Sequence, residues 1–264
     1  MSTGTDARLA RLGRDGRFVT VPMDHGITMG AVAGLKDIEA TIDAVTSGGA
    51  DAVITQKGIA HRVHPNVNGK GYLIHLNGST EIGPDEADKR RTCTVEEAVR
   101  LGADGVSFHI NVGSEYEPDQ IADLAAVTEE ATRLGMPVLA MAYARGPGVD
   151  EHDAENLGKA VRLAEELGAD IVKTAYSGDA ESFEHVVEST SRPVIIAGGS
   201  PSGDRASLEN VKGAIEAGGA GVSMGRTIFQ HEDPGAMAGA VAAVVHEEAD
   251  VEETIRRFGL SVEA

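Results

Sequence analysis

The strongest constraint on this chain is a repeat of short, β-rich apolar runs. They fall at Phe18 to Met23, Asp51 to Gln56, Tyr72 to Leu76, Gly105 to Ile110, Pro137 to Ala142, Asp170 to Thr174, Pro193 to Ala197 and Gly221 to Met224. Amphipathic segments of helical spacing lie between most of them: Leu35–Thr46, Thr94–Leu101, Pro118–Leu134, Asp153–Leu167, Ala180–Ser189, Ser207–Ala217 and Pro234–His246. Eight runs in 264 residues is about 33 residues per unit, a natural βα period. An internal echo supports this. Gly-Gly-Ala-Asp-Ala-Val (48–53), Leu-Gly-Ala-Asp-Gly-Val (101–106), Leu-Gly-Ala-Asp-Ile-Val (167–172) and Gly-Gly-Ala-Gly-Val-Ser (218–223) each end a helix at a glycine and start a strand at once. The expectation is a single (β/α)8 TIM barrel covering 1–264, of class α/β. An open doubly wound sheet is second, because eight near-even units favour closure. Residues 1–17 read as a polar N-terminal extension, 61–92 as an elaborated loop around the third strand, and Asp250 to Phe258 as an extra helix before the tail.

In a parallel barrel the chemistry sits at the C-terminal ends of the strands. Here those ends carry Asp24 and His25, then Lys57, His75, His109 and Tyr143, then Arg145, Lys173, Gly198, Gly199 and Ser200, and last Gly225 and Arg226. Lys173 stands out, because the chain has only 7 lysines against 16 arginines. A lysine in an apolar barrel interior loses solvation, which favours the neutral amine that attacks a carbonyl to form a Schiff base. The bland alternative is a strand-end lysine paired to a carboxylate. Cleaving a carbon–carbon bond through an imine also needs a base and an acid. Asp24 and Tyr143 are the candidates, against the alternatives of a turn cap and a rim tyrosine. Gly198, Gly199, Gly225 and Arg226 lie on the two loops where barrels hold phosphate. Lys57 could take a second anion or oppose charge on Lys173. Cys93 is given no role.

Composition removes other classes. Lys plus Arg is 23 and Asp plus Glu is 42, a net charge of −19, which argues against nucleic acid and anionic membrane as partners. No apolar run is long enough to span a bilayer, and Met1 to Arg17 does not read as a secretory leader. One cysteine allows no internal disulfide. A cytoplasmic location is therefore expected. The acidic, lysine-poor composition further points to a cytoplasm at molar salt, as in halophilic archaea. The three strand-end histidines with Asp24 could imitate a metal site of the class II aldolase kind, but no glutamate ligand accompanies them. There is no G-x-G-x-x-G after the first strand. No cofactor and no metal are expected.

Taken together, Val21-Pro-Met-Asp-His-Gly26, Ile74-His-Leu-Asn-Gly-Ser79, His109-Ile-Asn-Val-Gly-Ser114, Ile171-Val-Lys-Thr-Ala-Tyr-Ser-Gly-Asp179 and Gly225-Arg-Thr-Ile-Phe-Gln-His231 resemble the archaeal branch of the class I aldolase superfamily. The resemblance runs from Phe18 to Phe258. It implies a Schiff base on Lys173 and acid–base work by Asp24 and Tyr143. It also implies a sugar-phosphate donor, 6-deoxy-5-ketofructose 1-phosphate, whose enzyme-bound fragment passes to L-aspartate semialdehyde at the start of a route to 3-dehydroquinate and the aromatic amino acids. A homo-oligomer is implied as well. The sister activity, cleavage of fructose 1,6-bisphosphate, is the alternative. Pro22-Met23 before Asp24, together with Phe229, leans toward the transfer reaction. Deoxyribose-phosphate aldolases place a second lysine on strand seven, where this chain has Ala197-Gly198-Gly199.

Overall fold

In the computed structural model, which describes residues 2–199 and 203–261, eight parallel strands close into a barrel. They are β1 (Phe18–Pro22), β2 (Ala52–Gln56), β3 (Gly71–His75), β4 (Gly105–Val112), β5 (Val138–Ala144), β6 (Ile171–Thr174), β7 (Val194–Ala197) and β8 (Gly221–Ser223). Neighbours in sequence are neighbours in the sheet, and β8 returns to β1 with Gly221 opposite Phe18. The ends of each strand lie within two residues of the apolar run that foretold it. Helices follow the strands on the outside, the main ones being Ile38–Gly48, Val95–Arg100, Glu117–Leu134, Ala154–Glu166, Ala180–Glu188, Asp204–Glu216 and Pro234–Glu247. Asp37, Thr94, Asp153, Asp179 and Asp233 cap five of these with a side-chain oxygen.

The strands read as continuous apolar runs because both faces are buried. Alternation along them splits the core in two. Val19, Val21, Val53, Ile74, Phe108, Val172 and Val222 face the helices. Phe18, Ala52, Ile54, Leu73, Leu139, Met141, Ile171 and Ile195 fill the barrel interior. The phase of that second set carries upward: Asp24 is in step with Phe18, His75 with Leu73, Tyr143 with Met141 and Lys173 with Ile171. The fold thus aims these four side chains along one axis.

The Gly-Ala-Asp echo has a structural role beyond the helix stop. Each aspartate accepts a backbone N–H from the start of the preceding strand: Asp51 from Val19 at 2.9 Å, Asp104 from Tyr72 at 3.1 Å and Asp170 from Val138 at 2.9 Å. Each carboxylate therefore satisfies a donor at the bottom rim that the ladder leaves open.

Two segments differ from the sequence reading. The polar extension contains a helix, Thr3–Leu12, capped by the Ser2 hydroxyl. Its last residue, Leu12, is buried among the barrel-interior side chains and closes the N-terminal end. Its apolar stripe is too sparse to stand out by periodicity. In the irregular stretch after β3, Asn77–Gly78 pairs antiparallel with Arg90–Arg91. This ribbon carries residues 79–89 at the C-terminal mouth. Thr28 Oγ1 donates to the Ser79 carbonyl at 3.0 Å, and Gln120 Nε2 donates to the Ala87 carbonyl at 2.6 Å, so the loop is tied down on two sides. Among the described residues, no helix is long and apolar enough to cross a membrane.

Candidate active site

Lys173 is one residue from the end of β6, and only 6% of it is exposed. Met141 on β5 is its direct strand partner. Tyr143, two residues further along the same face of β5, therefore sits one step above Lys173 on the adjoining strand. Asp24 follows β1 across the mouth. The structure brings these three sequence candidates to one place.

Histidines surround the Asp24 carboxylate. His75 Nε2 lies 3.6 Å from one of its oxygens, and His25 Nδ1 lies 3.6 Å from the other. Burial works against the charge on Asp24. The electrostatic pull of His75, His25 and Lys173 outweighs it and holds the carboxyl below its usual range. His75 and His25 are themselves pushed down by desolvation, which exceeds the attraction of Asp24. At neutral pH the site thus presents an ionised carboxylate between two neutral imidazoles. His75 Nδ1 is held by Ser107 Oγ at 2.8 Å, which fixes the ring and leaves Nε2 toward Asp24. The edge of the His25 ring meets Phe229, with ring centroids 5.2 Å apart.

Two neighbours of different chemistry contact the Tyr143 ring. The His109 ring lies 5.0 Å away, and the Arg145 guanidinium carbon is 4.2 Å from the Tyr143 ring centroid. His109 is buried and pushed well below the ordinary histidine range by desolvation, so it is neutral; its Nε2 contacts Asn111 Oδ1 at 2.8 Å. Arg145 is itself oriented by a 2.6 Å hydrogen bond from Nε to Glu151. Two of the three histidines thus flank Asp24, and the third packs against Tyr143.

The two glycine loops meet. Arg226 Nη2 donates to the Gly199 carbonyl at 3.2 Å, and Thr227 Oγ1 contacts the Gly198 carbonyl at 3.5 Å. Gly225 is required sterically: a Cβ there would come within 2.6 Å of His25 Cε1 and 2.8 Å of the Pro22 carbonyl oxygen. Gly199 has φ +63°, a conformation that glycine adopts at little cost. Ser200, on the same loop, lies outside the described residues.

Lys57 is a correction. Its ammonium bonds the Glu97 carboxylate at 2.9 Å, and the pair raises the lysine and lowers the acid. A 3-10 turn at Lys57–Ile59 directs the chain away immediately after β2. Lys57 is therefore a paired strand-end lysine outside the group around Lys173. The cation that sequence reasoning missed is Lys89, on the 79–89 loop. It donates to Ser79 Oγ at 2.8 Å and is pushed down by desolvation, against the attraction of Glu86 and Asp24. Lysine scarcity, the signal that singled out Lys173, applied equally to Lys89. Its irregular surroundings gave no hint that the loop folds back over the mouth.

Comparison with known proteins points to one family. A family model described as DeoC/LacD family aldolase matches residues 18–231. The chain is 66% identical over 261 residues to the 2-amino-3,7-dideoxy-D-threo-hept-6-ulosonate synthase of Halobacterium salinarum, covering 99% of this chain and 98% of that protein. It is 36% identical over 255 residues to the class 1 fructose-bisphosphate aldolase of the same organism, covering 94% and 97%. Among solved structures, an archaeal fructose-1,6-bisphosphate aldolase whose catalytic lysine is covalently bound to the carbinolamine intermediate superposes with a TM-score of 0.85 at 31% identity, covering 92% of this chain and 99% of that one.

Proposed function

The chain belongs to the DeoC/LacD family of aldolases, and from that membership we propose that it is a lysine Schiff-base synthase of the transaldolase type. In this reading it moves a fragment of 6-deoxy-5-ketofructose 1-phosphate to L-aspartate semialdehyde, giving 2-amino-3,7-dideoxy-D-threo-hept-6-ulosonate for 3-dehydroquinate and aromatic amino acid synthesis. The observation that carries the chemistry is the buried Lys173, with Asp24 facing it electrostatically and Tyr143 one step above it on the neighbouring strand. The 66% identity over nearly the whole of both chains supports the transfer over fructose-bisphosphate cleavage, whose named relative stands at 36%.

Lys173 Nζ adds to the donor ketone, and loss of water leaves an iminium. Asp24, ionised and flanked by two histidines, takes the proton of the hydroxyl on the carbon β to the iminium carbon. The bond between the α and β carbons breaks, its electron pair enters the iminium as an enamine, and the β carbon leaves as an aldehyde. The enamine carbon then attacks the acceptor aldehyde, whose oxygen takes a proton, and water hydrolyses the new imine to free Lys173. The Tyr143 hydroxyl moves protons at the carbinolamine and at the carbon that gains or loses its bond. Gly198, Gly199, Gly225 and Arg226 hold the donor phosphate, and neutral His25 lines the same pocket. Salt-tolerant cytoplasmic work as a homo-oligomer belongs to this reading too.

Borohydride with the donor sugar tests it. The expected result is a mass increase on the peptide containing Lys173, and no increase on that peptide would overturn it. Product analysis with both donor sugars, with and without L-aspartate semialdehyde, separates transfer from fructose 1,6-bisphosphate cleavage.

A further inference from the structure

The loops after β7 and β8 are joined at a second point, beyond the contacts of Arg226 and Thr227. Asp204 opens the helix that follows the first loop, and His231 lies just past the short helical turn, Arg226–Phe229, that follows the second. His231 Nε2 lies 3.3 Å from one oxygen of the Asp204 carboxylate and 3.4 Å from the other. Its Nδ1 is held against the backbone of Asp233, 2.9 Å from the nitrogen and 2.8 Å from the carbonyl oxygen, so the ring is engaged at both nitrogens. The carboxylate has a second partner from far along the chain: the Ser261 N–H donates to Asp204 Oδ2 at 2.8 Å. The C-terminal segment is placed for that bond by its own packing. Helix Val251–Phe258 lies against the helices Asp204–Glu216 and Pro234–Glu247. Arg205, next to Asp204, pairs with Glu252 through both terminal nitrogens. Gly259 turns the chain at φ +67°, and Leu260 is buried in the main core, which fixes the residue before Ser261.

We infer that Asp204 and His231 are positioning residues for the donor phosphate, and that the C-terminal segment sets donor affinity through them. A phosphate held between two loops needs those loops at one separation. Loops ordered before the ligand arrives have less conformational entropy to lose on binding. Arg226 and Thr227 join the loops close to the strand ends. The Asp204–His231 pair joins them again where each leads on to an outer helix. A carboxylate with partners on two separate segments has little freedom to turn, so the Ser261 N–H keeps Asp204 on His231. The tail thus acts on the site without touching the donor.

This inference rests on the reading that the two glycine loops hold the donor phosphate, and the two can fail separately. Rates are measured in molar salt, where screening acts within about 3 Å, so that loss of the Asp204 charge counts for little beside loss of the tie. Inorganic phosphate serves as a competitive probe of the loops. Asp204→Ala is expected to raise KM for the phosphorylated donor and the inhibition constant of inorganic phosphate together, by about tenfold. KM for L-aspartate semialdehyde and kcat at saturating donor are expected to move far less. Asp204→Asn, which keeps an acceptor oxygen, is expected to recover most of the loss. Ser261→Pro removes the N–H that reaches Asp204 and is expected to raise the same two constants by about threefold. It decides the matter if Asp204→Ala melts below the assay temperature. Wild-type constants for donor and phosphate in both variants would overturn the inference, as would a rise shared equally by donor and acceptor. If inorganic phosphate does not compete with the donor on the wild-type protein, the phosphate reading of the loops fails. If it competes there and equally well on Asp204→Ala, only the positioning assignment fails.

Discussion

The guanidinium of Arg145 lies over the ring of Tyr143, 4.2 Å from its centroid, and is held there by Glu151. Two residues apart on one strand and its turn, these side chains form a unit that neither could form alone. The arginine fixes the phenol's orientation while lining an adjoining cavity. Lysine keeps the charge but not the planar fork or its stacking. Arg145→Lys is therefore expected to lower kcat/KM by about tenfold while leaving the melting temperature nearly unchanged. Steady-state kinetics beside a thermal melt check this, and full activity would remove Arg145 from the site.

Asp24 and Tyr143 are assigned proton transfers rather than binding. Tyr143→Phe and Asp24→Asn are each expected to reduce kcat by about a hundredfold to ten-thousandfold, with far smaller effects on KM for the donor. Loss expressed mainly in KM would make them binding groups. Borohydride trapping on Lys173 should persist in Tyr143→Phe at a reduced rate, because the lysine itself is untouched.

His109 and His75 give stability a definite pH dependence. Both are buried and pushed below the ordinary histidine value of 6.5, His109 the further of the two. As pH falls below 6.5, the unfolded chain binds protons that the folded chain resists, so stability is lost downward through that window and is full above it. The melting temperature is expected to drop between pH 7 and pH 5, and His109→Gln should show a shallower drop. Identical slopes in the two proteins would contradict the neutral, buried assignment.

Gly225 has no room for a methyl group between His25 and the Pro22 carbonyl. Gly225→Ala is expected to cost about 1–3 kcal/mol of stability and to raise KM for the phosphorylated donor, since the displaced His25 and the Arg226 loop are neighbours. Denaturant unfolding and donor titration read the two effects. A raised KM is not expected for the phosphate-free acceptor.

The net charge of −19 predicts salt dependence. Screening reaches about 10 Å at 0.1 M salt and about 3 Å at 1 M, so self-repulsion of the acidic surface grows as salt is withdrawn. The melting temperature is expected to rise from 0.1 M to molar salt. A protein equally stable in both would remove the halophilic reading of its composition.

The barrel was legible in the sequence because its strands are buried on both faces, and burial on both faces writes an unbroken apolar run. Eight such runs, four of them entered directly from a helix that stops at a glycine, leave few other ways to hide so much apolar surface. Lys173, Asp24 and Tyr143 were legible for the same reason: a polar side chain at the end of an apolar strand points to the open mouth. Side-chain partnership was not legible, because it depends on loops that carry no period. Lys57 directly follows the second strand, whereas Lys89 lies in the irregular stretch after the third. Only the fold shows that a turn sends Lys57 to Glu97, while the Asn77–Gly78 ribbon brings Lys89 back toward Asp24. Leu12 likewise closes the barrel floor from a helix too polar to announce itself. Periodicity is a local property and survives in a list of residues. The approach of two charges across the mouth is set by chain direction in three dimensions, which the tertiary structure alone decides.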